Sequence, residues 1–399
     1  MTTLFDSLLA PLDAETFFRD IFGKQHLHVK GTPERSAAIM TLAGLNTLMS
    51  MTSVWSPQTL KLFIDRKPVP VPDYCARSLA LGGDGTAVRP DPDLVQDWIG
   101  KGASVILNDI DALAPGVRQL ANELQEATGG RSQANLYFSM SQRQAFGPHC
   151  DVHEVFALHC NGEKVWNIYE NREDTPVNHP SFQFGDAERE RRAGKVAEQV
   201  RMQPGDLLYI PRGRYHDALA SENGALHIAF GVTLPKPLDL LGIIWEAAVQ
   251  DPEMRADLPH KADKDALAKV LKKMGKSVGE ILASKGAQQT AAKAVAAWPY
   301  EFKSYDLGSR LGSAPAAPQV EAGNYKVSKT VRVVQQNGRP VLTDGKQHVE
   351  VPRDITRQVR FIMSRDTVSA ASLKSQFPEM SEAAVAELIQ NMKAMRAIA

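Results

Sequence analysis

The chain has 399 residues, 46 basic and 46 acidic side chains, and 43% hydrophobic residues. This length exceeds the roughly 250–300 residues that one hydrophobic core serves, which predicts two or three domains. The apolar content excludes a largely disordered chain, and the zero net charge excludes a global attraction to nucleic acid or to anionic membranes.

Cysteine content and hydropathy predict a cytoplasmic protein. Three cysteines are too few for a disulfide framework in a chain of this size, and the sequence has no CxxC pair. The first residues lack the basic and apolar segments of a signal peptide. No window approaches the ~18–20 consecutive apolar residues that span a bilayer. We therefore expect a reducing compartment and no membrane partner.

The first third of the chain mixes amphipathic helices with short apolar strands. Phe17, Phe18, Ile21 and Phe22 recur at helical spacing, and Gly23 follows as a stop signal. In chain order the predicted elements are a helix over 13–22, a strand over 27–29, a helix over 91–99, a strand over 104–108 and a helix over 115–126.

From residue 133 the hydrophobic period changes to two, which is typical of strands. The predicted strands cover 135–140, 154–160, 164–169, 199–202, 205–210, 215–219 and 225–232. Asn161-Gly162 separates two of them and predicts a tight hairpin. Many short strands with glycine, proline and asparagine between them favour a β-sandwich or barrel with helices outside it, an α+β fold.

Residues 235–311 change to a helical period. Leu238, Leu241, Trp245 and Val249 share one face, and a second apolar stripe runs from Leu267 to Leu282. These stripes predict a homodimer through helices between about 236 and 296. Six lysines between 261 and 276 are interpreted as a solvated helix face, with an RNA-facing or subunit-facing surface as the alternative.

Residues 312–318 have the composition of a linker, and the chain beyond them contains a hairpin and three short helices, the content of a winged helix. We therefore predict three domains, over 1–234, 235–311 and 312–399. The last domain is not markedly basic, so nucleic-acid binding is expected to be weak or absent.

Two histidines and one aspartate form the strongest candidate for a chemical site. His149 and Asp151 are two residues apart, so on a strand they face the same side. Such a pair is weak alone, since 348–350 repeats the pattern without a third group nearby. A predicted hairpin over 205–216 returns His216 to the same interior. Two histidines and a carboxylate match the facial triad of non-haem Fe(II), which leaves coordination positions open; the alternative is a set of buried structural histidines.

Lys164 is the second candidate. It follows the predicted hairpin and lies two residues from Trp166, on the same strand face. An inward-facing lysine among apolar neighbours is costly unless it meets an anion, and a dicarboxylate 2-oxo acid would supply one. Asn135 and Tyr137 alternate on the preceding strand and are predicted to donate to the same carboxylate. The alternative is a surface lysine beside a turn.

Four segments together resemble the JmjC ribosomal-protein hydroxylases, which are cupin-type 2-oxoglutarate oxygenases. They are Asn135-Leu-Tyr, Gly147-Pro-His-Cys-Asp-Val-His-Glu-Val-Phe, Gly162-Glu-Lys-Val-Trp-Asn-Ile-Tyr and Gly205-Asp-Leu-Leu-Tyr-Ile-Pro-Arg-Gly-Arg-Tyr-His. The resemblance implies a double-stranded β-helix, the cupin/JmjC jelly roll, over 1–234, then a helical dimerisation region and a C-terminal winged helix.

By position, the resemblance places Fe(II) on His149, Asp151 and His216, and the distal carboxylate of 2-oxoglutarate on Lys164. Asn135 falls on a polar residue of the same pocket. The implied reaction is hydroxylation of an arginyl or histidyl side chain of a ribosomal protein.

Two departures from the family concern the target more than the iron. Cys150 stands between the first two ligands, where an aromatic residue is common, and the loop 141–146 matches no known substrate preference. Alternation predicts that Cys150 points away from the metal and packs. Two alternatives stay open: the same chemistry on another peptide or on a small molecule of a biosynthetic pathway, and a non-catalytic JmjC-like regulator whose winged helix binds nucleic acid.

The remaining histidines of the strand region are interpreted as structural. His227 is on the last predicted strand, where a role in the pocket is the less favoured alternative. His159 alternates with apolar residues and is expected to be packed.

Overall fold

A computed structural model describes residues 3–79, 86–140, 144–261, 263–301, 307, 323–336, 339–345 and 348–399. The chain divides into two compact units, Met1–Glu301 and Phe302–Ala399. The predicted linker 312–318, the predicted boundary between residues 311 and 312, and residues 141–143 of the loop 141–146 lie outside the described residues.

The first unit contains ten described α-helices and eleven described strands. The helices are α1 Leu4–Leu9, α2 Ala14–Thr16, α3 Pro33–Ala37, α4 Leu42–Met49, α5 Pro92–Gly100, α6 Pro115–Thr128, α7 Asp186–Ala193, α8 Leu241–Ala248, α9 Lys264–Ala283 and α10 Lys285–Ala296. The strands are β1 Leu27–Val29, β2 Leu60–Ile64, β3 Lys67–Pro68, β4 Cys75–Leu79, β5 Thr86–Pro90, β6 Ser104–Leu107, β7 Arg131–Ser139, β8 Glu154–Arg172, β9 Val196–Met202, β10 Leu207–Ile210 and β11 Arg214–Thr233.

Local signals in the sequence set several of these boundaries. Asp91 caps α5 by accepting from the backbone N–H of Leu94, as a side-chain oxygen at an N-cap does. Helix α6 begins at Pro115 and ends before Gly129, which has a φ of 69°. The predicted helix over 13–22 is observed as α2 followed by a π-helical turn over Phe17–Ile21.

One antiparallel sheet forms the centre of this unit, in the order β1-β10-β8-β11-β7-β6-β2-β3, with β9 also paired to β8. Strands β8 and β11, 19 and 20 residues long, pair with each other in two stretches. Residues 154–162 face 225–232, and residues 164–172 face 214–220. These two bent strands form the frame that carries the candidate site.

The predicted hairpin at Asn161-Gly162 is wrong, because β8 continues through these two residues without a chain reversal. Gly162 takes a φ of 71°, and the register shifts between Ala220 and Ala225 on β11. An added Cβ at Gly162 would lie 2.1 Å from the carbonyl oxygen of Gly224, so glycine permits this close approach. The Asn-Gly signal here marks an irregularity in one long strand rather than a chain reversal.

The predicted hairpin over 205–216 is also wrong. Strand β10 pairs with β1 and β8, whereas β11 pairs with β7 and β8. Residues 211–213 therefore connect two strands that are not neighbours. His216 nevertheless lies near the start of β11, inside the sheet, and is 3% exposed.

The two largest hydrophobic clusters of this unit lie on the sheet. The larger joins β7, β8, β10 and β11 to the N-terminal helices, with Phe17, Phe156 and Tyr209 in mutual ring contact at 5.0–6.0 Å. The smaller includes Trp166 and Leu208. Aromatic packing of the N-terminal segment against β8 and β10 thus fixes one end of the sheet.

The helices α8, α9 and α10 pack against one another and connect back to the sheet. The Trp298 indole N–H donates to the carbonyl of Thr233 at 2.8 Å, and the Arg131 guanidinium lies 4.1 Å from the Trp298 ring centroid. The residue Trp298, which follows helix α10, therefore holds the helical segment against the end of β11.

The second unit has its own core of small elements. They are β12 Asn324–Lys326, β13 Arg332–Gln336, β14 Arg339–Thr343, β15 His348–Glu350, α11 Thr356–Met363, β16 Thr367–Ser369, α12 Ala370–Gln376 and α13 Glu382–Ala394. Helix α13 begins after Ser381, as predicted, and buries Leu388 and Ile389. No described helix of either unit combines the length and the apolar content that crossing a bilayer requires.

Candidate metal and co-substrate site

A cavity of about 590 Å³ opens between β7, β8, β11 and the segment before β8. All six predicted site residues line it: His149, Asp151, His216, Lys164, Asn135 and Tyr137. The cavity therefore brings together residues from four separate parts of the chain. Ligand sites are commonly concave and mostly apolar, with a few converging polar groups.

His149, Asp151 and His216 converge at one side of this cavity. Each offers one ligand atom, and the three atoms lie within 4.8 Å of one another. His216 Nε2 is 3.5 Å from Asp151 Oδ2, and the two imidazole centroids are 4.5 Å apart. Such a cluster has the size and donor types of a site for one metal ion.

A backbone bridge, rather than a regular strand, aligns the two histidines. His149 N–H donates to the carbonyl of His216 at 3.0 Å, and His216 N–H donates to the carbonyl of His149 at 2.8 Å. Asp151 lies in the irregular segment that follows. The expected alternation of His149 and Asp151 along a strand is therefore wrong in its local geometry, although both side chains reach the same point.

The hydrogen bonds of the two imidazoles suit them for metal binding. Nδ1 of His149 lies 2.9 Å from the Gly147 carbonyl oxygen, and Nδ1 of His216 lies 3.0 Å from that of Arg214. A carbonyl only accepts, so each Nδ1 carries the proton and each Nε2 keeps a lone pair for a ligand bond. Metal-binding histidines are oriented by this kind of second hydrogen bond.

The pKa shifts in the site are consistent with a neutral His216 beside a carboxylate. Burial, and then the adjacent His149, lower the pKa of His216 to about 4. Burial alone raises the pKa of Asp151, but the surrounding histidines outweigh it and leave the pKa below its ordinary value. Near neutral pH the Asp151 carboxyl is therefore ionised and His216 is neutral.

Lys164 lies in the inner wall, 5% exposed, and no described carboxylate forms an ion pair with it. Its Nζ is 3.4 Å from Ser139 Oγ and 3.4 Å from His227 Nδ1. Burial lowers the pKa of Lys164 to about 7. A buried ammonium without a counter-ion is an anion-binding group.

Aromatic rings connect Lys164 to the histidine cluster. Trp166 lies 5.3 Å from the His227 ring and 5.8 Å from the His216 ring, measured between centroids. Tyr137 stacks on His227 at 4.7 Å and an interplanar angle of 8°. The preferred interpretation of His227 as structural missed its place in the cavity wall, since nothing in a single sequence distinguishes an inward position beside Lys164.

The other predicted residues occupy distinct positions. Asn135 Oδ1 accepts from the backbone N–H of Asp109 at 3.2 Å, so its oxygen is already engaged at the cavity wall. Cys150 packs with Tyr169 and Tyr215, as expected, but it also lines the cavity, and burial raises the pKa of its thiol to about 11. His159 is fully buried, with Nε2 3.1 Å from the carbonyl of Gly162.

The cavity rim combines Phe146, from the loop 141–146 that the sequence analysis connected with the target, and residues that the sequence analysis did not single out. Phe146 is 36% exposed, and its ring centroid is 5.9 Å from that of His149. The facing wall contributes Phe184 and Arg189, whose Nε donates to the Phe184 carbonyl at 2.6 Å. Phe184 and Arg189 are half-buried and belong to no periodic pattern, so only the tertiary structure places them at the cavity.

Comparison with known proteins agrees with this geometry. A model of the JmjC domain matches residues 112–240, the segment that carries all six predicted site residues. The chain is 26% identical to ribosomal oxygenase 2 of Bos taurus over 267 residues, covering 65% of this chain and 55% of that protein. It is 29% identical to the bifunctional lysine-specific demethylase and histidyl-hydroxylase NO66 of Dictyostelium discoideum, covering 61% of this chain and 45% of that protein.

Among solved structures, YcfD, a ribosomal oxygenase from Escherichia coli solved in complex with cobalt and 2-oxoglutarate, aligns over 98% of both chains at 14% identity and a TM-score of 0.47. The chain spans about half the length of the two curated relatives named above. The match of residues 112–240 to the JmjC-domain model, taken with the antiparallel sheet and the cavity, supports the predicted cupin-type fold for this segment.

Proposed function

We propose that this protein is an Fe(II)- and 2-oxoglutarate-dependent hydroxylase. The observation that supports this most strongly is the pairing of two features in one cavity. Two histidines and a carboxylate, with ligand atoms within 4.8 Å, share that cavity with a buried lysine that has no carboxylate partner among the described residues. The first feature suits a divalent metal with open positions, and the second suits a dianionic co-substrate.

Each proposed role follows from a contact. His149, Asp151 and His216 would hold Fe(II), with the imidazoles oriented through their Nδ1–H bonds. Lys164 would bind the distal carboxylate of 2-oxoglutarate. When bound, Fe(II) with 2-oxoglutarate and O2 supplies the oxidation that converts the co-substrate to succinate and CO2 and hydroxylates a C–H bond.

The remaining wall residues prepare the cavity. Trp166, Tyr137 and His227 cover Lys164 with rings, so that an incoming carboxylate meets the ammonium away from bulk water. Ser139 Oγ offers a second hydrogen-bonding group at 3.4 Å from the lysine. Asn135 and Tyr137 are proposed as the polar side chains beside the same carboxylate.

We propose a protein side chain, arginyl or histidyl, of a ribosomal protein as the substrate. Two curated relatives are named ribosomal oxygenase and histidyl-hydroxylase. The cavity of about 590 Å³ has room for a side chain beside a co-substrate of only ten heavy atoms. Its open rim at Phe146 suits a residue presented by a larger molecule rather than a fully enclosed metabolite.

The test is succinate formation from 2-oxoglutarate under Fe(II), together with intact masses of ribosomal proteins from cells with and without this gene. We expect a +16 Da shift on one ribosomal protein that depends on the gene. His216→Ala should abolish turnover. His26→Ala, at a partly exposed histidine paired with Glu198 outside the cavity, is the matched control.

The outcomes separate the competing functions. Turnover without a shift on any ribosomal protein would favour another peptide or a small molecule. No metal-dependent turnover, combined with tight duplex binding, would favour a non-catalytic regulator.

We also propose a homodimer formed through residues 235–311. Apolar side chains remain exposed on α8 and α9, including Trp245 at 71% and Leu271 at 55%. An apolar stripe of this size on a surface helix is typical of an interface. The proposed division is then a JmjC domain over 1–234, a dimerisation region over 235–311, and a winged-helix-like domain over 312–399.

For the last domain we propose at most weak nucleic-acid binding. Its three helices and hairpin have winged-helix content, but that content alone carries no function. We propose a cytoplasmic location, since Cys75, Cys150 and Cys160 are all unpaired.

A further inference from the structure

Arg66 occupies an unusual backbone position near the cavity. It lies in the two-residue turn between β2 and β3, where Asp65 and Arg66 have φ values of 48° and 64°. Consecutive left-handed residues suit the twist of a tight hairpin, and glycine is the usual choice at the second of them. An arginine is unfavourable for the backbone there, which suggests that its side chain is needed.

The side chain and backbone of Arg66 join three segments. Its backbone N–H donates to the Gln144 carbonyl at 2.9 Å, and its Nε donates to Gln144 Oε1 at 2.9 Å. Nη1 donates to Glu190 Oε1 of α7 at 2.8 Å. Arg66 thus connects the β2–β3 turn to two other segments: the one that leads to His149, and helix α7, which carries Arg189.

The segment held by Arg66 forms the aromatic rim. An added Cβ at Gly147 would lie 3.1 Å from Arg66 Nη1, so the guanidinium packs directly on this glycine. Between Gln144 and Gly147, the Phe146 ring lies 4.9 Å from that of Phe63. The same ring approaches His149 at 5.9 Å.

We propose that Arg66 is a positioning residue that fixes residues 144–147, so that Phe146 is held as the rim of the cavity beside His149. Exposed ion pairs contribute little to overall stability, and Arg66 and Glu190 are 39% and 50% exposed. Loss of the Arg66 side chain should therefore make the rim residues 144–147 less ordered without lowering the overall stability much. The inference rests on the proposed hydroxylase function only in assigning this rim to an incoming substrate.

The test is Arg66→Gly in the full chain without added metal. Glycine keeps the left-handed turn and removes every side-chain contact. We expect amide exchange over residues 144–150 to accelerate at least about fivefold, while exchange in α6 stays unchanged. The thermal midpoint should stay within about 2 °C of wild type or rise. Gln144→Ala should reproduce the local exchange, and Arg19→Ala, at another exposed ion pair, should not.

A second readout is Co(II) affinity, followed by tryptophan fluorescence, because Trp166 lies beside His216. Loosening the segment before His149 should weaken Co(II) binding about threefold or more in Arg66→Gly. Unchanged exchange over 144–150 would overturn the proposal. A lower midpoint with faster exchange throughout the unit would show a purely structural role and would also overturn it. Neither readout needs turnover, so both stand whatever the outcome of the hydroxylase assay.

Discussion

Replacing Lys164 by methionine gives the sharpest test of the co-substrate site. The change keeps the length and burial of the side chain but removes its charge. Since no described carboxylate pairs with Lys164, the variant leaves no uncompensated acid behind and should fold. We therefore expect a specific loss of 2-oxoglutarate binding with little change in thermal midpoint.

The size of the loss follows from the burial of the lysine. Removing one partner of a buried, hydrogen-bonded charge pair costs about 2–5 kcal/mol, or roughly 30- to 4,000-fold in affinity. The pKa of about 7 means that half of the free protein already carries a neutral Lys164 at pH 7, which reduces the loss only about twofold. Ser139 remains as a weak donor, so we expect a value near the lower end.

The assay is anaerobic calorimetry of 2-oxoglutarate binding to the Fe(II)-loaded protein, with 2-oxopentanoate as a neutral-tailed analogue. Wild type should prefer 2-oxoglutarate, and the preference should collapse in Lys164→Met, since both ligands chelate through the same end. Lys101→Met is the matched control, because Lys101 is exposed over Trp98. Equal 2-oxoglutarate affinity in wild type and Lys164→Met would refute the assignment of this lysine.

The same assay, run between pH 7 and 9, tests the charge state of Lys164, because binding needs the ammonium and its pKa in the free protein is about 7. The affinity for 2-oxoglutarate should fall up to tenfold per pH unit until the pH reaches the raised pKa of Lys164 in the complex. An affinity that does not change with pH would contradict this. Asp151→Asn should reduce Co(II) affinity at least about tenfold in fluorescence titrations while leaving the fold intact by circular dichroism, and undiminished affinity would remove Asp151 from the ligand set. Trp245→Glu should convert a dimer into a monomer by light scattering, and a monomeric wild type would exclude the proposed interface. Gly205→Ala should lower the free energy of unfolding, measured in urea, by about 2–4 kcal/mol, because φ is 94° and a Cβ would lie 1.9 Å from the carbonyl oxygen of Thr32. A free energy of unfolding within about 0.5 kcal/mol of wild type, as is ordinary for surface changes, would count against so close an approach.

The residue types of the site could be predicted from the sequence because the chemistry restricts them. His149, Asp151 and His216 form a set of donors that few other functions require, and the structure brings their ligand atoms within 4.8 Å. Lys164 was selected by the cost of burying an unpaired cation, and it is 5% exposed. The donor types carried these inferences, because the strand alternation expected for 149–151 and the hairpin expected over 205–216 are both absent from the described structure.

Strand connectivity could not be predicted in the same way. Alternating hydrophobicity over 154–169 is identical for two hairpin strands and for one bent strand, and Asn161-Gly162 suits both a turn and an irregularity. The choice is made by β11, which pairs with both stretches of β8. Likewise, the segment over 205–216 contains two strands close in sequence, yet they do not pair because β8 pairs with each of them. Long-range pairing thus decided what the local pattern left ambiguous.

Charge balance couples the two halves of the proposed site. Before ligands bind, the partly exposed carboxylate of Asp151 and the buried amine of Lys164 line the same cavity without a direct ion pair among the contacts described. Fe(II) alone would add two positive charges to this cavity, and a dianionic 2-oxo acid alone would add two negative ones. Only both together leave the total charge of metal, co-substrate, Asp151 and protonated Lys164 at zero. A low-dielectric cavity strongly favours such neutrality. Each ligand should therefore strengthen the binding of the other by the same factor, and the protein would commit to oxidation only when both are present.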